Sequence, residues 1–217
     1  MSRTSSTDEQ CGVLNALSSP RYPHVVEYLE ALPKGAASYP QCLDKGSGTQ
    51  RLLKIRNPRP TPGSLPDEIA RFIATAPVAS AWIPTVVAES ITLAIRDEFF
   101  SSDDDFWYWL KTTVRSLFRS PIYRVMLALA SPGRLLASIQ NRWEQFHRGS
   151  TLQIVDRPTP KSVVMRMRFP PRLYLALTLR NYAVSFAAAA EVARGRNVKV
   201  ELGDFDETSA LFAGSWE

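Results

Sequence analysis

The sequence predicts an α+β domain: an N-terminal helical bundle followed by a β-β-α-β-β antiparallel sheet packed on a long apolar helix. Three observations predict it. Between residues 65 and 148 apolar side chains recur at helical spacing, in segments that open on Ser, Asp or Pro. From residue 151 the period falls to two, the spacing of strands with one wet face. Between the two alternating pairs lies a single apolar stretch, residues 172–194, carrying Leu173, Leu175, Leu177, Leu179, Val184, Phe186 and an alanine run. Pro170 and Pro171 precede that stretch, and Gly195 follows Arg194 at its end, as at helix termini. A helix so apolar must be covered on most sides, with sheet on one flank and bundle on the other.

The chain has 217 residues, enough for one well-packed domain and an appendage. Residues 1–62 read as an N-terminal extension and linker, partly disordered, and residues 63–217 as a single α+β domain (63–148 bundle, 149–217 ββαββ). The first ten residues are polar and Ser/Thr-rich. Short apolar clusters around Val13 and Val25 predict two short helices; residues 32–45 read as loop from their Pro and Gly content. Residues 51–62 combine basic residues with prolines and read as an extended linker, with a boundary near Gly63.

Beyond the boundary the helices are punctuated in turn. Ser64 precedes a first turn holding Pro66, Asp67 and Glu68, where carboxylates suit the positive end of the dipole. Residues 82–100 form the next, with Pro84 in the first turn. Ser102 and Asp103 open a helix bearing the run Phe106-Trp107-Tyr108-Trp109. Ser120-Pro121 and Ser131-Pro132-Gly133 open two more. In the second half, Val163, Met165, Met167 and Phe169 point one way and Arg166 and Arg168 the other. Val200 and Leu202 alternate with Lys199 and Glu201, and residues 208–216 return as the last strand.

Composition narrows function by exclusion. Cys11 and Cys42 make no disulfide framework and read as reduced thiols in a cytoplasmic protein. No secretory leader opens the chain and no apolar run is long enough to span a bilayer, so no membrane role is expected. No phosphate-binding glycine loop, nucleophile elbow or paired metal-ligand motif is present, so no catalytic residues, metal site or cofactor are assigned. Net charge is +5, and seven basic residues lie between Lys111 and Arg148 against one acid, Glu144. They read either as solvated helix faces or as an anion-facing surface. Nucleic acid is not expected as a partner, since that requires basic and aromatic residues on one exposed face.

Consecutive rings at 106–109 cannot all enter one core. They read either as core plus a subunit contact, or as part of a mostly apolar pocket between bundle and sheet. The candidate ligand-binding residues are Trp107, Trp109, Tyr123, Arg124, Trp143, His147, Arg148 and Tyr174. His147 and Arg148 read first as cations closing a helix before Gly149. Tyr39 and Cys42, the apolar members of the N-terminal loop, are candidates to dock onto the later domain and close the pocket.

The segments Arg119-Ser120-Pro121-Ile122-Tyr123, Ser131-Pro132-Gly133-Arg134, Trp143-Glu144-Gln145-Phe146-His147-Arg148-Gly149 and Phe169-Pro170-Pro171-Arg172 resemble a bacterial family with multiple myxobacterial paralogues, as does the loop from Ala31 through Tyr39, Pro40 and Cys42. More remotely, the element order resembles the 4-vinyl-reductase and haem-nitric-oxide-binding sensor folds. The resemblance implies small-molecule binding between helices and sheet. Haem-bearing members need a proximal His and a Tyr, Ser and Arg motif; neither can be placed here, so the fold carries over without haem.

The leading expectation is a non-enzymatic cytoplasmic regulator that senses a small hydrophobic or acidic ligand or engages a protein partner or second copy. The alternatives are an enzyme using His147 with Cys42 or a carboxylate, and a structural interaction protein using an exposed aromatic run.

Overall fold

The computed structural model describes residues 21–119 and 132–217. In chain order they form α1 (Pro23–Ala31), a 3-10 turn (Gly35–Ala37), β1 (Leu43–Lys45), α2 (Gly46–Ile55), α3 (Asp67–Ala74), β2 (Trp82–Pro84), α4 (Thr85–Phe99) and α5 (Asp103–Phe118). Then follow α6 (Pro132–Ala137), α7 (Ile139–Glu144), β3 (His147–Arg148), β4 (Thr151–Asp156), β5 (Ser162–Arg168), α8 (Ala176–Val192), β6 (Lys199–Phe205) and β7 (Ser209–Ser215). The segment opened by Ser120-Pro121, with Tyr123 and Arg124, and the first cysteine, Cys11, lie outside the described residues.

The ββαββ unit forms as its alternation dictates. Its sheet is antiparallel, in the order β4-β5-β7-β6. Val163, Met165 and Met167 of β5 are buried while the residues between them are wetter, and Met165 stands opposite Phe212 of β7. α8 packs against β6 and β7 on one side and α5 on the other, so the apolar helix is covered by sheet and bundle. Arg115 of α5 pairs with Glu191 of α8 at 3.2 Å. The start of α5 is as expected: Ser102 accepts the Asp105 amide at 3.2 Å, with Asp103, Asp104 and Asp105 in the first turn.

The N-terminal part departs from expectation. The packing does not divide near Gly63: Tyr22, Val25, Tyr28, Leu32, Cys42 and Leu53 share one buried cluster with Ile91, Leu110 and Phe212. A second sheet, β2-β1-β3, ties residues 43–45 to residues 82–84 and 147–148. Its strands have two or three residues each, too short for a period to show. The expected linker is α2 followed by extended chain, and Trp82 and Ile83 are strand rather than helix, with Pro84 as the N-cap of α4. Ser64 does not cap α3; its hydroxyl bonds Thr61 and Pro66 takes the cap position.

The loop between α1 and β1 docks onto later chain. Tyr39 donates its hydroxyl to the Pro171 carbonyl at 2.9 Å, and Cys42 is fully buried with Sγ 3.6 Å from the Gly149 carbonyl. Tyr39→Phe removes one half-exposed hydrogen bond, so a loss of about 1 kcal/mol is expected in urea denaturation.

Candidate functional site

A cavity of about 320 Å³ lies between the inner face of the four-stranded sheet and α2, α5, α7 and α8. Strand alternation places Leu152, Val163, Met165 and Val200 on its sheet side. On α8, Asn181, Tyr182, Ser185, Phe186, Ala189 and Ala190 line it, the i, i+1, i+4, i+5 pattern of one helical face. Leu110 and Val114 of α5 lie on the same helical face one turn apart. The wall is therefore mostly apolar, with a few convergent polar groups, the composition of a small-molecule site.

The polar groups come chiefly from the second sheet and its flanking helices. Lys45, at the end of β1, Arg51 on α2, Arg142 on α7 and His147 on β3 all line the cavity. His147 stands opposite Asp44 in the β1–β3 pair, and its Nδ1 is 2.8 Å from Asp44 Oδ1. Its ring lies nearly flat on Trp143, centroids 3.9 Å apart, and meets the edge of Tyr182 at 5.5 Å. Trp143 is fixed in turn by donating Nε1 to Ser150 Oγ at 3.1 Å. Two polar atoms on this wall are buried without a partner: Arg51 Nε and Asn181 Oδ1.

Behind the wall sit buried ionisable groups. Glu89, on α4, accepts a hydrogen bond from Thr178 in the first turn of α8. Burial, reinforced by the Asp44 charge and opposed by Thr178, pushes the Glu89 carboxyl up to about 8, so it is largely protonated at neutral pH. Burial also drives the Tyr174 and Tyr182 hydroxyls far above the usual phenol range. The Cys42 thiol is pushed up to about 11, by burial first and then by Asp44.

Of the sequence candidates, Trp143 and His147 line the cavity. Tyr174 lies one ring back, 5.4 Å from Tyr182. Trp107 and Trp109 do not line it: Trp109 packs at a tilt against Phe100 and Phe106, beside Arg56. Arg148 faces away, its guanidinium 4.0 Å from the Trp82 ring, which Lys45 approaches from 3.9 Å. The helix-closing role expected of His147 and Arg148 is corrected, because α7 ends at Glu144 and both residues are strand. Cys42 and Tyr39 dock but do not line the cavity; its N-terminal cover is α2. Sequence reasoning missed Lys45, Arg51, Arg142 and Asn181. Asn181 and Ser185, four apart in an otherwise apolar helix, were the available signal; Lys45 and Arg51 sat in a stretch read as linker.

The fold defined by these elements is that of H-NOX domains. The chain is similar to an Fe(II) unliganded H-NOX protein from K. algicida, with 14% identity, a TM-score of 0.51, and coverage of 80% of this chain and 96% of that one. A Cs H-NOX mutant carrying 4-cyano-L-phenylalanine gives 11% identity and a TM-score of 0.53, with 80% and 96% covered. An oxygen-binding H-NOX domain related to soluble guanylate cyclases gives 10%, 0.51, and 79% and 92%. No family model and no curated protein matches the chain.

Among the described residues, the imidazole on this wall that could ligate the haem this fold implies is His147: Asp44 holds its Nδ1, which leaves Nε2 as the donor atom, and Trp143 covers its ring face. The cavity-facing residues of β4, β5 and β6 are apolar, so cations for haem carboxylates would have to come from Arg51 and Arg142 on the opposite wall.

Proposed function

We propose that this chain is a small-molecule-sensing module whose ligand enters the cavity between the four-stranded sheet and α2, α5, α7 and α8. The observation that carries the reading is the cavity itself: about 320 Å³, walled by apolar side chains, with Arg51 Nε and Asn181 Oδ1 buried and unpartnered on its surface. Unsatisfied buried polar atoms are costly, and a bound ligand with matching groups relieves the cost. The fold likeness supports the same reading, since one similar domain is an oxygen-binding H-NOX domain. The protein binds and reports, without turning the ligand over.

The test is native mass spectrometry of the full chain, beside thermal shifts against small apolar compounds. A co-purifying or saturably stabilising molecule is expected. Met165→Trp, which fills the cavity from β5, is expected to lose that binding while retaining the fold. A wild-type chain that binds no apolar compound overturns the reading.

A second reading rests on the Asp44–His147 pair, an imidazole oriented by a carboxylate at a cavity wall, as in general-base catalysis. Cys42 does not complete it, because its buried thiol faces the Gly149 carbonyl. The structural-interaction reading has less support: Phe106 is fully buried and only Tyr108 of that run is exposed.

A further inference from the structure

We propose that the cavity takes a single-tailed amphiphile with an anionic head group, carboxylate or phosphate, held by Arg51 and Arg142. The inference rests on the cavity being the ligand site and adds the class of ligand. Polarity in the cavity is segregated. The two guanidinium groups come from α2 and α7, whereas the sheet side offers Leu152, Val163, Met165 and Val200. An anion at one wall and a hydrocarbon tail at the other match that division.

The cations are also unbalanced. Arg96, Arg115 and Arg172 each pair with a carboxylate, but among the described residues Arg51 and Arg142 pair with none. Both are half-buried and make neutral contacts, Arg51 Nη2 to Ser116 Oγ at 3.2 Å and Arg142 Nε to Ser138 Oγ at 2.9 Å, whereas the Lys45 ammonium is turned to the Ser80 carbonyl and the Trp82 ring. Asp44, beside the same wall, is engaged by His147, and Glu144 by Gln140. Arg51 Nε is buried with no hydrogen-bond partner among the described residues. A guanidinium nitrogen shut away from water needs an acceptor, and an anionic head group supplies one with charge. The volume of about 320 Å³ lies at the lower end for small-molecule sites, which selects a medium-length chain.

The experiment is calorimetric titration of the full chain with decanoate, decyl phosphate and decanol at low and high salt. The anionic probes are expected to bind roughly tenfold or more tighter than decanol, with the advantage shrinking in salt. Whichever anion binds tighter identifies the head group. Arg51→Gln and Arg142→Gln are each expected to lose roughly tenfold for that anion and little for decanol, with circular dichroism confirming the fold. Met165→Trp is expected to abolish binding of all three. Decanol binding as tightly as both anions overturns the head-group assignment and leaves the cavity reading standing. Failure of all three to bind overturns both. Undiminished binding to Met165→Trp also overturns the assignment, since the tail then lies elsewhere.

Discussion

Gly149→Ala is expected to destabilise the protein by about 2–5 kcal/mol, the sum of a backbone penalty of about 1–2 kcal/mol and an overpacking penalty of about 1–3 kcal/mol. The backbone part arises because Gly149 sits at φ +75°, where an L side chain clashes with its own carbonyl. The packing part arises because an added Cβ would lie 2.5 Å from Cys42 Sγ, 2.9 Å from Cys42 Cα and 3.0 Å from the Gln41 carbonyl oxygen. A flexible side chain could turn away, but a Cα cannot. Cys42 donates its amide to Tyr39 at 2.8 Å and accepts the Thr85 amide at 2.9 Å, so moving it breaks the entry to β1 and the start of α4 together. Cys42→Ala in the same chain removes only the Sγ contact and is expected to restore a minor part. Urea denaturation of the wild type and the two variants checks this, and a loss below about 1 kcal/mol for Gly149→Ala would show that the loop yields. Because β1 carries Asp44 and Lys45, the variant is also expected to weaken ligand binding in whatever fraction still folds.

The same contact explains which parts of the molecule could be read from its residues. Elements long enough to display a period were readable: the strands around Met165 and Val200, the apolar helix between them, and the helix opened by Ser102. What sits beside the cavity on its polar side was not. β1, β2 and β3 have two or three residues each, and they pair across 39 and 103 positions of chain, Asp44 with both Ile83 and His147. No local pattern encodes such pairing; it follows from the close approach at Gly149 and the burial of Cys42. Lys45 and Arg51 therefore looked like residues of a basic, proline-rich lead-in. His147, which lines the cavity, reads as a helix-end cation in the sequence because its stacking on Trp143 and its bond to Asp44 depend on that long-range sheet. Trp109 lies off the cavity for a different reason: its ring packs against Phe100 and Phe106, with the Arg56 guanidinium 6.0 Å from its centroid.

Stability is expected to fall as pH rises from about 4.5 to about 8, with Glu89 as the main source. Its carboxyl titrates near 4.5 in the unfolded chain and is pushed up to about 8 in the fold. Between those values the folded chain holds a proton that the unfolded chain has lost. Unfolding then releases a proton, and the linkage relation makes the slope negative, at most about 1.4 kcal/mol per pH unit and roughly 4 kcal/mol across the window. Stabilisation is full below the unfolded value and gone once pH passes the folded one. The groups facing Glu89 act in both directions: Asp44 raises its value, whereas the Thr178 hydroxyl favours the anion. Glu89 also meets the first turn of α8, whose positive dipole end favours the anion and makes the figure an upper bound. Glu89→Gln keeps a neutral hydrogen-bonding group of the same shape, so it is expected to match the wild type near pH 5, exceed it by several kcal/mol near pH 8, and flatten the slope. Parallel urea titrations of both proteins at pH 5, 6.5 and 8 decide it; parallel, equally sloped curves would mean that Glu89 is ionised throughout and stabilised by α8. Because α8 carries Asn181, Tyr182 and Ser185, loss of the Glu89 proton strains the helix that walls the cavity, and weaker ligand binding above pH 8 than at pH 6 is expected to accompany the stability loss in the wild type but not in Glu89→Gln.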